Sequence, residues 1–248
     1  MKFSANLGFL WTDRALPDAI HAAKAAGFMA VECHWPYDQD VDAVLSALQQ
    51  TGLPMLGLNT RRGHAGENGL SALRGREDEA RAAIDEALAY AKKTNTGAVH
   101  VMAGFAQGTD AHATFAENLR YACAHAEGRT ILIEPLNGYD APGYFLNSTT
   151  QAAALIEEIG APNLRLMFDC YHVQLTEGDV THRLEKLLPL IGHIQVASIP
   201  DRGTPDHGEL TYSYIWRILD RLGWDRPIGA EYKPLGDTDA SLGWLSEV

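Results

Sequence analysis

From end to end, the chain alternates strand-like apolar runs with amphipathic helical runs, and this constrains the fold more than any other feature. The strand candidates are "KFSANLGF", "FMAVECHW", "LPMLGLNT", "AVHVMAG", "RTILIEPLN", "LRLMFDCYH", "IGHIQVAS" and "RPIGAEYKP". Between them lie segments such as "REDEARAAIDEALAYAKKT" and "ATFAENLRYACAHAEG", with apolar residues at i, i+3 and i+4. Several of these helical runs end in glycine (Gly27, Gly52, Gly128, Gly160, Gly223), a common helix stop. "STTQ" at 148–151 reads as a helix cap.

Strands joined through helices pair in parallel, and eight such units in 248 residues match the typical length, about 250 residues, of a closed (β/α)₈ barrel. An open doubly wound sheet would usually carry a glycine-rich phosphate loop after its first strand, and "NLGFLWTD" has none. No linker or change of composition divides the chain, so one domain over 1–248 is expected. Only "DASLGWLSEV" follows the last strand, so the eighth helix is expected to be short.

Composition narrows the function. The net charge of -12 argues against a nucleic acid partner, because phosphate backbones select basic surfaces. No stretch approaches the ~18 apolar residues of a membrane span, and "MKFSANLGF" enters a strand without a signal-peptide run. Cys33, Cys123 and Cys170 are scattered and odd in number, which fits a reducing, cytoplasmic setting. Nothing in the sequence sets an oligomeric state.

The strands end on oxygen. Glu134 closes the fifth, Asp169 the sixth, and Gln195 and Glu231 lie late in the seventh and eighth. A barrel gathers all of its strand C-termini on one face, where catalytic groups sit. The side-chain period of two puts Glu134 on one face with Leu132, Gln195 with His193, and Glu231 with Gly229. Ile131, Ile133, Ile194 and Val196 then face the outer helices. Three carboxylates together repel unless a cation neutralises them. With an amide oxygen as the fourth group, the set suits a hard divalent cation, Mg²⁺ or Mn²⁺.

The blocks "SANLGFLW", "AAKAAGFMAVECHWPYD", "GENGLSALRGRE", "IEPLN" with "DAPGYFLNST", "FDCYH", "GHIQVASIPDRGTPDHGEL" and "GAEYKP" are similar to those of hydroxypyruvate isomerases. They equally resemble 2-oxo-tetronate isomerases, and both groups are xylose-isomerase-like TIM barrels. The resemblance runs from about Ser4 to Trp244. It implies a divalent metal held by Glu134, Asp169, Gln195 and Glu231, with Glu134 and Glu231 exchanging protons with the substrate. His172 and Arg202 match positions that contact substrate oxygens in related epimerases. Gly138 and Tyr139 stand where some members carry a basic residue, which leaves three- and four-carbon acids both open.

The implied substrate is a small anionic 2-oxo-hydroxy acid, isomerised through an enediolate. Its carboxylate needs local positive charge, for which the metal, Arg202, Lys233 and His172 are candidates. Arg202 is favoured for its bidentate guanidinium, whereas Arg61 and Arg62 are expected to face solvent. His100 and His193 are read as satisfied barrel histidines, and Glu67 and Glu209 as loop acids that could order a lid. Trp11, Trp35 and Trp216 could line a pocket or simply pack. Three rival functions share this frame. A ketose 3-epimerase would act on a neutral sugar, and Gln195 in place of histidine leans away from it. An endonuclease IV-like phosphodiesterase would need zinc-binding histidines and a basic face. A metal-dependent sugar-acid sensor would not require two matched glutamates.

Overall fold

The computed structural model describes residues 1–247, and in it all eight expected strands are parallel. They are β1 (Phe3–Asn6), β2 (Ala30–Glu32), β3 (Gly57–Asn59), β4 (Ala98–His100), β5 (Thr130–Ile133), β6 (Leu164–Asp169), β7 (Ile191–Val196) and β8 (Ile228–Ala230). The helices between them are α1 (Leu16–Ala25), α2 (Val41–Thr51), α3 (Glu77–Thr94), α4 (Gly108–His125), α5 (Thr149–Ile159), α6 (Cys170–Thr176), α7 (Val180–Leu187) and α8 (Tyr212–Arg221). Sheet order runs β2-β1-β8-β7-β6-β5-β4-β3. Its two ends meet through a bridge between Val31 and Met55, with Val31 N–H donating to the Pro54 carbonyl at 3.0 Å. The barrel is therefore nearly closed.

Local chemistry sets the boundaries. Ser148 Oγ accepts the Gln151 N–H at 3.2 Å and starts α5, a cap worth about 1 kcal/mol. Gly160 ends the same helix in the left-handed region at φ 65°, which a side chain would disfavour. Two expectations need correction. "CYH" after Asp169 is helix rather than strand, because Asp169 Oδ1 accepts the Tyr171 N–H at 2.9 Å and caps α6. The segment after β8 forms a 3₁₀ helix, Asp239–Glu247, instead of a short α-helix closing the last unit.

The main core fills the annulus between strands and helices and includes Ile131, Ile133, Ile194 and Val196. Inside the barrel, the apolar packing shrinks to Ala98, Leu132 and Met167. Strand register does the rest of the positioning. Asp169 pairs with Gln195, and Gln195 with Gly229, so neighbouring strands deliver their end groups at one level. No described helix is long and apolar enough to cross a membrane.

Candidate active site

Every strand finishes on, or within one residue of, a polar side chain. β1 to β4 end on Asn6, Glu32, Asn59 and His100; β5 and β8 are followed by Glu134 and Glu231; Asp169 ends β6 and Gln195 is next to last in β7. Glu134, Asp169, Gln195 and Glu231 are all buried, at 5%, 1%, 2% and 5% exposure. Glu134 Oε1, Asp169 Oδ2 and Gln195 Oε1 have no hydrogen-bond partner among the described residues. Buried polar atoms left unpaired cost on the order of 1–3 kcal/mol each, so three such oxygens are a demand for a ligand.

Glu134, Asp169, His172 and Glu231 each bring a donor atom within 4.8 Å of the others, a buried group that could bind a metal ion. The tautomer of His172 separates it from the rest. Its Nδ1 accepts the backbone N–H of Asn137 at 3.1 Å, and the Asn137 side-chain amide lies 2.7 Å away. Burial, then Arg202, lowers the imidazole to about 3, so it is neutral. The proton therefore sits on Nε2, which lies 3.7 Å from Asp169 Oδ2 and 3.9 Å from Glu134 Oε1. An Nε2–H group donates a hydrogen bond and has no lone pair for a metal. Gln195, in register with Asp169 on the neighbouring strand, carries an unpaired oxygen that would complete an all-oxygen set with the three carboxylates. These residues fit a hard divalent cation.

The carboxylates sit in unlike surroundings. Arg202 Nη2 donates to Glu231 Oε2 at 2.6 Å, while Asn6 Nδ2 and His34 Nε2 lie 2.8 and 3.0 Å from Glu231 Oε1. Burial opposes ionisation of Glu231, but Arg202 and His34 outweigh it and hold the group below the usual range. Glu134 has no such partners, and burial, followed by the charges of Glu231 and Asp169, pushes it well up. Asp169 is raised by burial and by Glu231. The Arg202 guanidinium lies between the Phe9 and Tyr171 rings, 4.8 Å from each centroid, and also faces Asp140 at 3.4 Å.

The pattern of the xylose isomerase-like TIM barrel family matches residues 20–248. A 2-oxo-tetronate isomerase of Cupriavidus necator is 44% identical over 252 residues, covering 98% of this chain and 97% of that one. A hydroxypyruvate isomerase of Escherichia coli is 37% identical, covering 99% and 98%. The chain belongs to this isomerase family. A Brucella melitensis crystal structure described as an AP endonuclease of family 2 superposes with a TM-score of 0.95 at 37% identity, covering 99% of this chain and 98% of that one.

Within the isomerase, the cavity at the barrel mouth is lined by Glu134, His172, Arg202, Glu231 and Lys233, and Asp169 contacts this group from below. Gln195 lies deeper, where its Nε2 meets Glu32 Oε1 at 3.2 Å. Glu32 Oε2 in turn approaches His193 Nε2 to 2.5 Å, but the angles make no hydrogen bond, so that barrel histidine is not satisfied at Nε2. His100 departs from the expectation of a satisfied histidine. Both of its nitrogens lack hydrogen-bond partners, Nδ1 lies 3.7 Å from Glu134 Oε2, and burial lowers its pKa to about 3.

Arg61 faces outward, paired with Glu86 at 2.7 Å. Arg62 is exposed, as expected of a solvent-facing side chain, and it also lines the rim of the mouth. Glu67 braces its own loop through the His64 N–H at 2.6 Å and an ion pair with Arg76, and Glu209 stays exposed. Trp35 lines the mouth, whereas Trp11 is buried and Trp216 packs against Phe3 and Tyr212. Asn6, His34, Asn137 and Asp140 join the site from outside the expected set. Asn6 carries the same strand-end signal as Glu134, but His34, Asn137 and Asp140 lie in loops and have no such signature.

Proposed function

We propose that this isomerase interconverts hydroxypyruvate and tartronate semialdehyde, or the corresponding pair built on a four-carbon 2-oxo acid. Mg²⁺ or Mn²⁺ would be held by Glu134, Asp169, Gln195 and Glu231. The observation that carries this reading is the convergence of buried Glu134, Asp169 and Glu231, with unpartnered oxygens on Glu134, Asp169 and Gln195. The names of the relatives support the substrate class.

Isomerisation moves a proton from the carbon bearing the hydroxyl to the adjacent carbonyl carbon through an enediolate, while the hydroxyl proton passes to the former carbonyl oxygen. When bound, a divalent cation supplies Lewis-acid polarisation of the carbonyl and charge to balance the enediolate. Glu134 and Glu231 exchange the proton, each carboxylate differing in its surroundings, a common arrangement for an acid–base pair. His172 donates its Nε2–H to a substrate oxygen.

Formal charge supports an anionic substrate. Glu134, Asp140, Asp169 and Glu231 face Arg62, Arg202 and Lys233 around the mouth. With a divalent cation added, one net positive charge remains, and a monocarboxylate neutralises it. The overall charge of -12 and the three unpaired cysteines support a small-molecule enzyme of the reducing cytoplasm.

Proton NMR of hydroxypyruvate in D₂O, with metal-stripped protein before and after Mn²⁺ or Mg²⁺, tests the proposal. Metal-dependent tartronate semialdehyde carrying solvent deuterium at the reacting carbon is the expected result. No product and no exchange with either metal rejects hydroxypyruvate, and the four-carbon 2-oxo acids are then tested the same way.

A further inference from the structure

The three cations at the mouth are not equally available. Arg202 is engaged by Glu231, Asp169 and Asp140. Lys233 and Arg62 are both exposed and neither has an ion pair among the described residues, but the Lys233 ammonium makes no side-chain hydrogen bond and has only the Phe9 ring at 5.9 Å to place it. Arg62 is both free and held. Its Nε donates to the Glu67 carbonyl at 3.1 Å, and its guanidinium lies over the Trp35 ring at 4.9 Å. Trp35 is itself tied through Nε1 to the Thr60 carbonyl at 3.0 Å. No acceptor among the described residues meets either terminal nitrogen of Arg62.

The loop around it is closed. Gly69 N–H donates to the Arg62 carbonyl at 2.8 Å, and Glu67 is anchored at both His64 and Arg76. Gly63, at φ 98°, could not carry a side chain here, because a Cβ would sit 2.2 Å from Glu67 Oε2. The adjacent Arg61 makes the contrast, since its Nε and Nη2 both meet Glu86. A guanidinium fixed at Nε and by stacking, with both terminal nitrogens unpaired at the rim of a cavity of about 390 Å³, is preorganised for a planar anion.

We propose that Arg62 is the carboxylate receptor of this site and sets its preference for 2-oxo acids over neutral ketoses. The Nη1/Nη2 fork takes the substrate carboxylate, while the oxo and hydroxyl end enters the buried acid cluster. This inference rests on the oxo-acid reading above. It replaces Arg202 in the clamping role expected from sequence, because Arg202 already balances Glu231.

The test compares wild type with Arg62→Ala and Arg62→Lys, using hydroxypyruvate turnover and calorimetric binding of tartronate, an unreactive dicarboxylate. Arg62→Ala is expected to raise KM by about tenfold or more with kcat changed far less, the signature of lost ground-state binding. Added guanidinium should restore KM, and Arg62→Lys should recover part of it. Tartronate affinity should fall in parallel. An unchanged KM and unchanged tartronate affinity in Arg62→Ala would overturn the assignment, as would a fall in kcat that guanidinium does not rescue. If wild type turns over no 2-oxo acid yet binds tartronate through Arg62, the isomerase reading fails and the receptor stands. If wild type turns over hydroxypyruvate with no dependence on Arg62, the isomerase reading stands and the receptor fails.

Discussion

Arg202 Nη2 lies 2.6 Å from Glu231 Oε2, with both side chains largely buried at 11% and 7% exposure. A carboxylate this enclosed needs a cation nearby, and Arg202 supplies one from the loop after β7. Arg202→Met leaves Glu231 buried without its strongest partner and should destabilise the metal-stripped protein by about 3 kcal/mol. The loss should be smaller with saturating Mn²⁺, which would share the same carboxylate. Urea unfolding of both forms checks this, and an equal loss with and without metal would contradict it.

His172 is tuned to donate, not to ligate. Replacing it with glutamine should lower kcat by roughly 10²–10³, the scale of one lost donor at a developing charge. Mn²⁺ affinity should stay close to wild type. Calorimetry showing affinity reduced as far as in Asp169→Asn would mean that His172 is a ligand after all.

Gln195 offers the complementary case. Gln195→Leu keeps the volume but removes the unpaired oxygen, and also the bond to Glu32. Metal-free stability should change by about 1 kcal/mol. Mn²⁺ affinity should fall at least about tenfold, by analogy with the cost of losing even outer partners of a metal. Titration of the stripped protein with Mn²⁺ separates these two effects.

Gly229 holds the interior network open. A Cβ there would lie 2.4 Å from Glu32 Oε1, 2.8 Å from Gln195 Cγ and 2.9 Å from His193 Nε2. Gly229→Ala should therefore cost about 3 kcal/mol, the upper end of overpacking, and weaken metal binding through Gln195. Wild-type stability in this variant would show that the interior can yield.

The loop that carries Arg202 is pinned by His207 Nε2 and Asp201 Oδ2, 2.8 Å apart. The bond to His207 lowers Asp201 to about 2, and the bond to Asp201, with help from Asp206, raises His207. Asp201 stabilises above the unfolded value of about 3.9, and this is lost as pH falls toward 2. His207 stabilises below about 6.5, and this is lost as pH rises through its folded value. The pin is thus fully effective between about pH 4 and 6.5, but both side chains are nearly half exposed, which limits it to tenths of a kcal/mol. An NMR titration should place His207 above 6.5, and Asp201→Asn should move it down.

Much of the site is legible in the linear chain. Glu134, Asp169 and Glu231 stand together because each closes a strand and all strand ends share one mouth, with Gln195 deeper on the strand between Asp169 and Glu231. The same logic extends to β1 through β4 and their end residues Asn6, Glu32, Asn59 and His100. The end of β6 is harder to read because Asp169 serves two ends at once: one oxygen caps α6 while the other faces the mouth. Arg62 is hidden for a different reason. A loop arginine looks the same in sequence whether its fork faces solvent or a cavity.

The sequence by itself determined the eight-fold alternation, the two faces of each strand and the ring of oxygens at their ends. These follow from local periodicity, which a linear chain displays openly. Only the tertiary structure decided which oxygens gained partners and which were left unpaired. Asn6 and His34 reach Glu231 across 225 and 197 residues, because closure of the barrel sets β1 against β8. A period of two tells which face a side chain takes, but the distances across a closed barrel assign its partner.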